Sequence, residues 1–158
     1  MRITPRRLAR GMSLWPPFLG AGIRVREISP DWTRATVQLR VGRFTQNYVG
    51  TAFGGSLSAM TDPFFMLLAL HQLGRDYVVW DTKGEIEYLT PGRGTLTAIA
   101  EMPAAAVAEM RAAAEGGAKV LRWFEVDITD SSGTIVARVR RQIYVREKRR
   151  TGEPSSAA

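Results

Sequence analysis

The residues best suited to chemistry crowd into one short stretch, Asn47 to Asp62. Gly54 and Gly55 stand immediately before the most apolar segment of the chain, Ser56 to Leu73, which reads as a helix buried on most sides. The first N–H groups of a helix have no internal acceptor, and the helix dipole is positive there. Glycine lets a ligand approach such donors closely. The pair therefore suits the oxyanion of a tetrahedral intermediate, or simply permits a tight turn. Asp62 is the only acid between Asp31 and Asp76, inside that apolar segment. Burying a carboxylate is expensive, so Asp62 is a candidate general base or nucleophile. The alternative is structural, because Asp62-Pro63 also reads as an N-cap followed by Pro at the first helical position. Seven residues separate Gly55 from Asp62, about two turns or ~10 Å of rise, too far for one helix to bring both to a single carbonyl. Asn47 could hold a water, the Asp62 carboxylate or its own Gly-rich loop. Ser56 and Thr61 are possible polar neighbours, with Ser56 equally able to cap. Lys83, in Asp81-Thr-Lys-Gly-Glu, could contact substrate or pair with an acid.

Several chemistries are excluded. There is no cysteine, which removes disulfides, thiolate catalysis and cysteine metal sites. His71 is the only histidine, so a usual zinc set cannot be assembled, and its place near the helix end suggests a structural role. No G-x-S-x-G elbow supports a serine triad, and no P-loop or dinucleotide fingerprint occurs. No metal or cofactor is expected.

The elements that must position these residues follow from periodicity. Residues 5–13 read as a short helix, and Trp15-Pro16-Pro17-Phe18 as an extended apolar stretch, because Pro restricts itself and its predecessor. Residues 21–29 and 32–41 alternate as strands about a Pro30-Asp31 turn. Residues 42–55 are loop. After Ser56–Leu73, which Gly74 ends, residues 77–90 and 94–102 read as strands. Residues 103–115 form an alanine-rich helix opened by Pro and closed by Gly116-Gly117. Residues 119–129 and 134–146 form a hairpin, with Ile135, Ala137, Val139 and Ile143 marking the inner face of the second strand. If one helix runs through Pro63 it is kinked there; otherwise the main helix begins at Pro63.

At 158 residues, 45% hydrophobic and 23% charged, the chain fits one globular domain, expected over residues 1–147, with a disordered basic and polar tail at 148–158. The net charge of +7 is carried by the two ends: residues 1–26 hold six arginines and no acid, whereas residues 27–137 are net negative, −4. Basic ends are one footprint of a nucleic-acid binder. These lack interleaved aromatics, so solvated termini are the plainer reading and no nucleic acid is expected. No apolar run reaches the ~18–20 residues of a membrane span, and the first residues lack the apolar core of a secretory signal. A cytoplasmic location is the expectation.

The stretch N47-Y-V-G50-T-A-F53-G54-G55-S-L-S-A-M-T-D62 resembles the hotdog-fold thioesterases of the phenylacetate type. There an Asn is followed by His-Gly-Gly and then by an Asp, at the spacings of Asn47, Phe53-Gly54-Gly55 and Asp62. The phrases W-P-P-F-L-G-A-G, Y-x-V-W-D and Y-V-R also look like a bacterial branch of the hotdog clan, and the resemblance covers about residues 12–146. It implies an α+β hotdog fold, a curved antiparallel sheet wrapped around a long central helix. It implies an acyl thioester substrate carried on coenzyme A or an acyl carrier, and a homodimer or dimer of dimers in which facing subunits complete each site. Hydrolysis would use Asp62, the Gly54 and Gly55 amides and Asn47. Phe53, Ser56, Thr61, Lys83 and Arg93 would contact substrate, Arg93 through the phosphates of coenzyme A. Phe53, Phe64, Phe65 and Met66 would line an acyl tunnel or form plain core. Phe53 departs from the pattern, since phenylalanine cannot donate the hydrogen bond of a histidine. A non-catalytic acyl-binding protein is therefore the alternative to a hydrolase.

Overall fold

The computed structural model describes residues 3–148. Of the expected tail, 148–158, Lys148 is held in place, its N–H donating to Asp76 O at 2.7 Å, and residues 149–158 lie outside the described residues. Helix α1 (Pro5–Leu14) is capped by the Thr4 hydroxyl, which accepts from Arg7 N–H at 3.3 Å. Ser13 of α1 fastens it to β1 (Ile23–Ile28), its Oγ accepting from the Val25 amide at 2.9 Å. Trp15-Pro16-Pro17-Phe18 is not extended as expected. Only Trp15 is, and the prolines open α2 (Pro16–Ala21). The reason is local: at the first helical positions the missing N–H costs nothing, and proline's φ is already helical.

Strands β2 (Arg34–Arg40), β3 (Tyr77–Tyr88), β4 (Thr95–Glu101), β5 (Val120–Thr129) and β6 (Ile135–Glu147) complete one antiparallel sheet of order β1-β2-β4-β5-β6-β3. Alternation is the cause. Ala35, Val37 and Leu39 of β2 and Leu96, Ala98 and Ala100 of β4 are buried while their neighbours face outward. The ladder between β4 and β5 joins only at Thr97↔Thr129 and Ala98↔Ile128. Helix α5 (Ala104–Ala113) is inserted between these strands, burying Ala106, Val107 and Met110. The halves β1-β2-β4 and β5-β6-β3 thus meet at a short seam, and the buried helix α4 (Phe64–Leu73) touches strands of both. Phe64, Phe65 and Leu68 are fully buried, each worth about 2 kcal/mol by removal from water. Phe65 stacks on Phe124 of β5 at 5.3 Å.

The segment Ser56–Leu73 is not one helix. It divides into α3 (Gly54–Ala59) and α4, with a turn at residues 60–63. Proline at 63 lacks the N–H that would continue the ladder. The far end of α4 is pinned by Gln72, whose Nε2 donates to Trp32 O at 2.7 Å and to Met102 O at 3.0 Å. His71 stacks flat on Trp32 with ring centres 3.5 Å apart, and burial pushes its pKa down. That contact gives His71 the structural place its position suggested. Among the described residues no helix is long and apolar enough to cross a membrane.

Candidate functional site

The break between α3 and α4 sets Asp62 apart from the helical ladder. Its side chain caps nothing: α4 has no side-chain cap, and Pro63 occupies the cap position. Instead Asp62 Oδ1 accepts from Arg141 Nη1 at 2.7 Å. Arg141 stands on β6 among Val139, Ile143 and Val145, on the face turned toward the helices, and is only 6% exposed. Its Nη2 donates to Ser58 O at 2.7 Å and Ser58 Oγ at 3.0 Å, and lies 3.5 Å from Thr61 Oγ1. One guanidinium therefore ties the end of α3, the turn and Asp62 to the sheet. Gly84, opposite Arg141 on β3, makes room for it, since a Cβ there would fall 2.5 Å from Nη1.

Asp81 joins this cluster from β3. It pairs with Ile143 and so shares the inner face with Arg141. Its Oδ1 is buried and, among the described residues, without a hydrogen-bond partner. Burial first, and the charge of Asp62 second, push its carboxyl up to about 6, with Arg141 opposing. The ladder slips just after it, between Asp81 and Lys83, a bulge of the kind that re-aims side chains.

The glycine half of the site is organised differently. Gly54 and Gly55 open α3, and Phe53 holds the cap position with an exposed ring. A Cβ on Gly54 would lie 2.7 Å from the Tyr88 hydroxyl, and one on Gly55 would strike the Phe53 ring. The phenol of Tyr88 and the ring of Phe53 thus lie against the two glycines. A cleft of about 440 Å³ runs beside them, lined by Asn47, Thr51, Gly54, Leu57, Tyr88 and Leu89 among others. Asn47 commits its amide to its own loop. Its Oδ1 accepts from the Val49 and Thr51 amides at 3.2 and 3.0 Å, and its Nδ2 donates to Thr51 Oγ1 at 2.9 Å and Ala52 O at 3.3 Å.

Ser56 and Thr61 are buried, and Thr61 Oγ1 donates to Ser58 O at 2.9 Å. Arg93 reaches the same loop as Asn47, its Nη1 donating to Gly50 O at 2.7 Å. Lys83 is not brought to the cluster. It stands opposite Gln142, on the strand face of Glu85, which pairs with Arg140 at 3.0 Å, and has no ion pair among the described residues. Phe64 and Phe65 are core. Asp62, Arg141 and Asp81 form one group, and the glycines, Asn47 and Tyr88 form another around a cleft whose lining does not include the first.

Three of these residues are not among the candidates drawn from the sequence. For Arg141 a signal existed: alternation through Val139, Ile143 and Val145 places residue 141 on the apolar face, where an arginine is rare without a partner. Asp81 carries a weaker form of the same signal, two residues after Val79. Tyr88 carries none.

The chain matches the family model described as "Domain of unknown function (DUF4442)" over residues 5–145. No curated protein matches it. Among solved structures it is similar to PA5026 of Pseudomonas aeruginosa, a protein of unknown function described as a probable thioesterase. That likeness has a TM-score of 0.78 at 19% identity, over 90% of this chain and 96% of that one. It is similar also to the thioesterase HI1161 of Haemophilus influenzae, TM-score 0.68 at 15% identity over 97% of each chain. The E. coli PaaI protein, from the phenylacetic acid degradation operon, gives 0.62 at 18% identity, covering 88% of this chain and 90% of that one.

Proposed function

From the premise that the chain belongs to the DUF4442 family and has the hotdog fold of its thioesterase neighbours, we propose that it hydrolyses acyl thioesters of the acyl-CoA type. The observation that carries this reading is the Asp62–Arg141 pair at the break between α3 and α4. A carboxylate fixed by a buried guanidinium, in the turn that follows a helix opened by two glycines, is a positioned group for acyl transfer. Water would add to the thioester carbonyl, the carbon–sulfur bond would break, and a carboxylic acid and a free thiol would result. The Gly54 and Gly55 amides are the candidate donors to the carbonyl oxygen, with the Tyr88 hydroxyl beside Gly54. The cleft lined by Leu57, Tyr88 and Leu89 suits an acyl group.

The two halves of the site stand apart in one chain, which favours a homo-oligomer. Among the described residues strand β3 pairs only with β6, which leaves its other edge open from Tyr77 to Tyr88. An unpaired edge of that length is a template for a second copy. Pairing there would carry the Asp62 cluster of one subunit toward the cleft of the other.

A second reading has its own observation. Phe53, at the helix-opening position, is 56% exposed and offers no hydrogen bond. An exposed phenylalanine beside the cleft suits a protein that holds an acyl chain without cleaving it. Thiol release from short, aromatic and long acyl-CoA thioesters, in wild type and Asp62→Asn, separates the two. Hydrolysis predicts turnover that falls by about 100-fold or more in the variant. Binding of acyl-CoA with no thiol release from the wild type favours the second reading.

A further inference from the structure

We propose that Asp81, and not Asp62, is the group that takes the proton from the attacking water, with Arg141 and Asp62 as its positioning frame. This rests on the hydrolase reading and assigns its proton transfers.

The assignment starts from which polar atoms are used. Arg141 commits Nη1 to Asp62 and Nη2 to Ser58, yet its buried Nε has no acceptor. Asp81 Oδ1 is likewise buried and has no donor. Burying either kind of atom unpaired costs about 1–3 kcal/mol, more for a charged group, so such atoms are few in folded proteins and call for a reason. Here the two are complementary, one a donor and one an acceptor. They sit on paired strands, on one face, two register positions apart. The cluster thus leaves one donor and one acceptor unused on the same face.

Asp62 is the less suitable acceptor. Its Oδ1 is already engaged by a guanidinium at 2.7 Å, and its side chain is 59% exposed to bulk water. Asp81 is more enclosed and faces two charged groups, Asp62 from the α3–α4 turn and Arg141 from β6. Their opposing effects, added to burial, leave its carboxyl titrating at about 6. A base that ionises just below neutrality is present as carboxylate and still accepts a proton readily. The bulge after Asp81 separates its direction from that of Lys83 on the same strand. The step balances: water oxygen bonds to the carbonyl carbon as its proton passes to Asp81. The carbon–sulfur bond then breaks, and the leaving thiolate receives that proton.

The test is the pH dependence of acyl-CoA hydrolysis by the full chain in wild type, Asp81→Asn and Asp62→Asn, with far-UV circular dichroism to check folding. The expected wild-type rate rises with pH through about 6 and then levels. Asp81→Asn is expected to lower kcat by about 100-fold or more, leave KM within a few-fold, and erase that rise. Asp62→Asn should shift the rise to lower pH, because it removes a negative neighbour. Near-wild-type kcat in Asp81→Asn with the rise intact, beside an inactive Asp62→Asn, overturns the assignment and leaves the hydrolase reading standing. No thiol release by wild type from any thioester overturns both. Carboxyl carbon NMR of the wild type gives a readout free of substitutions. A side-chain carboxyl titrating near 6 supports the inference, and its absence overturns it.

Discussion

The loop around Asn47 and the cluster around Arg141 treat their polar atoms in opposite ways. In the loop every amide atom of Asn47 is paired within a few residues, and Arg93 adds a further tie to Gly50. The loop is a closed structure that presents a cleft. In the cluster a buried arginine and a half-buried aspartate each keep a buried atom without a partner among the described residues, and the guanidinium pairs with Asp62 but not with Asp81. Such an arrangement costs stability that an apolar core would not. On the proposed reading, the difference separates a loop that holds shape from a cluster that holds the reacting groups.

Substitutions that respond with opposite signs would sharpen this contrast. The largest stability effect is expected in the loop. Asn47→Ala removes bonds to two backbone amides, a hydroxyl and a carbonyl, and should cost about 2 kcal/mol in urea unfolding. A loss below ~0.5 kcal/mol would break the view of a self-supporting loop.

The opposite sign is expected at Asp81. Its folded pKa of about 6 lies above the ordinary 3.8, so its contribution to stability is fully present below pH 3.8 and lost as pH rises through 6. Asp81→Asn should therefore stabilise the protein at pH 8 by about 1–2 kcal/mol after allowance for solvent screening. The gain should shrink toward zero near pH 4. Denaturant unfolding at the two pH values checks both the sign and the window.

Arg141→Met should leave stability within about 1 kcal/mol, because an apolar chain of similar length fills the space and Asp62 can turn to water. Hydrolysis should nevertheless fall with it, separating positioning from folding. The smallest effect is expected at Phe53, whose ring is more than half exposed. Phe53→His should change stability by less than ~0.5 kcal/mol in the same assay.

Much of the architecture is legible in the order of residues. Strict alternation in residues 34–40 and 95–101 marks β2 and β4, because a half-buried strand requires a period of two. The prolines at 16 and 17 mislead, since their stiffness suits an extended segment and a helix start equally well. Asp62-Pro63 is legible as a break but not in its use: the cap reading fails because the carboxylate finds a guanidinium on a strand distant in the chain. Gly54, Gly55 and Asp62 stand out as candidates by type and spacing, whereas Asp81 and Tyr88 do not.

By itself, then, the amino-acid order determined the strands, helices α1 and α5 and the chemistry available, because periodicity and turn residues act over a few neighbours. Which polar groups meet was decided only by the tertiary structure. Register between β3 and β6 sets Gly84 opposite Arg141, the missing Cβ lets the guanidinium cross to the α3–α4 turn, and burial there raises Asp81. Those are contacts between residues far apart in the chain, and no local pattern encodes them.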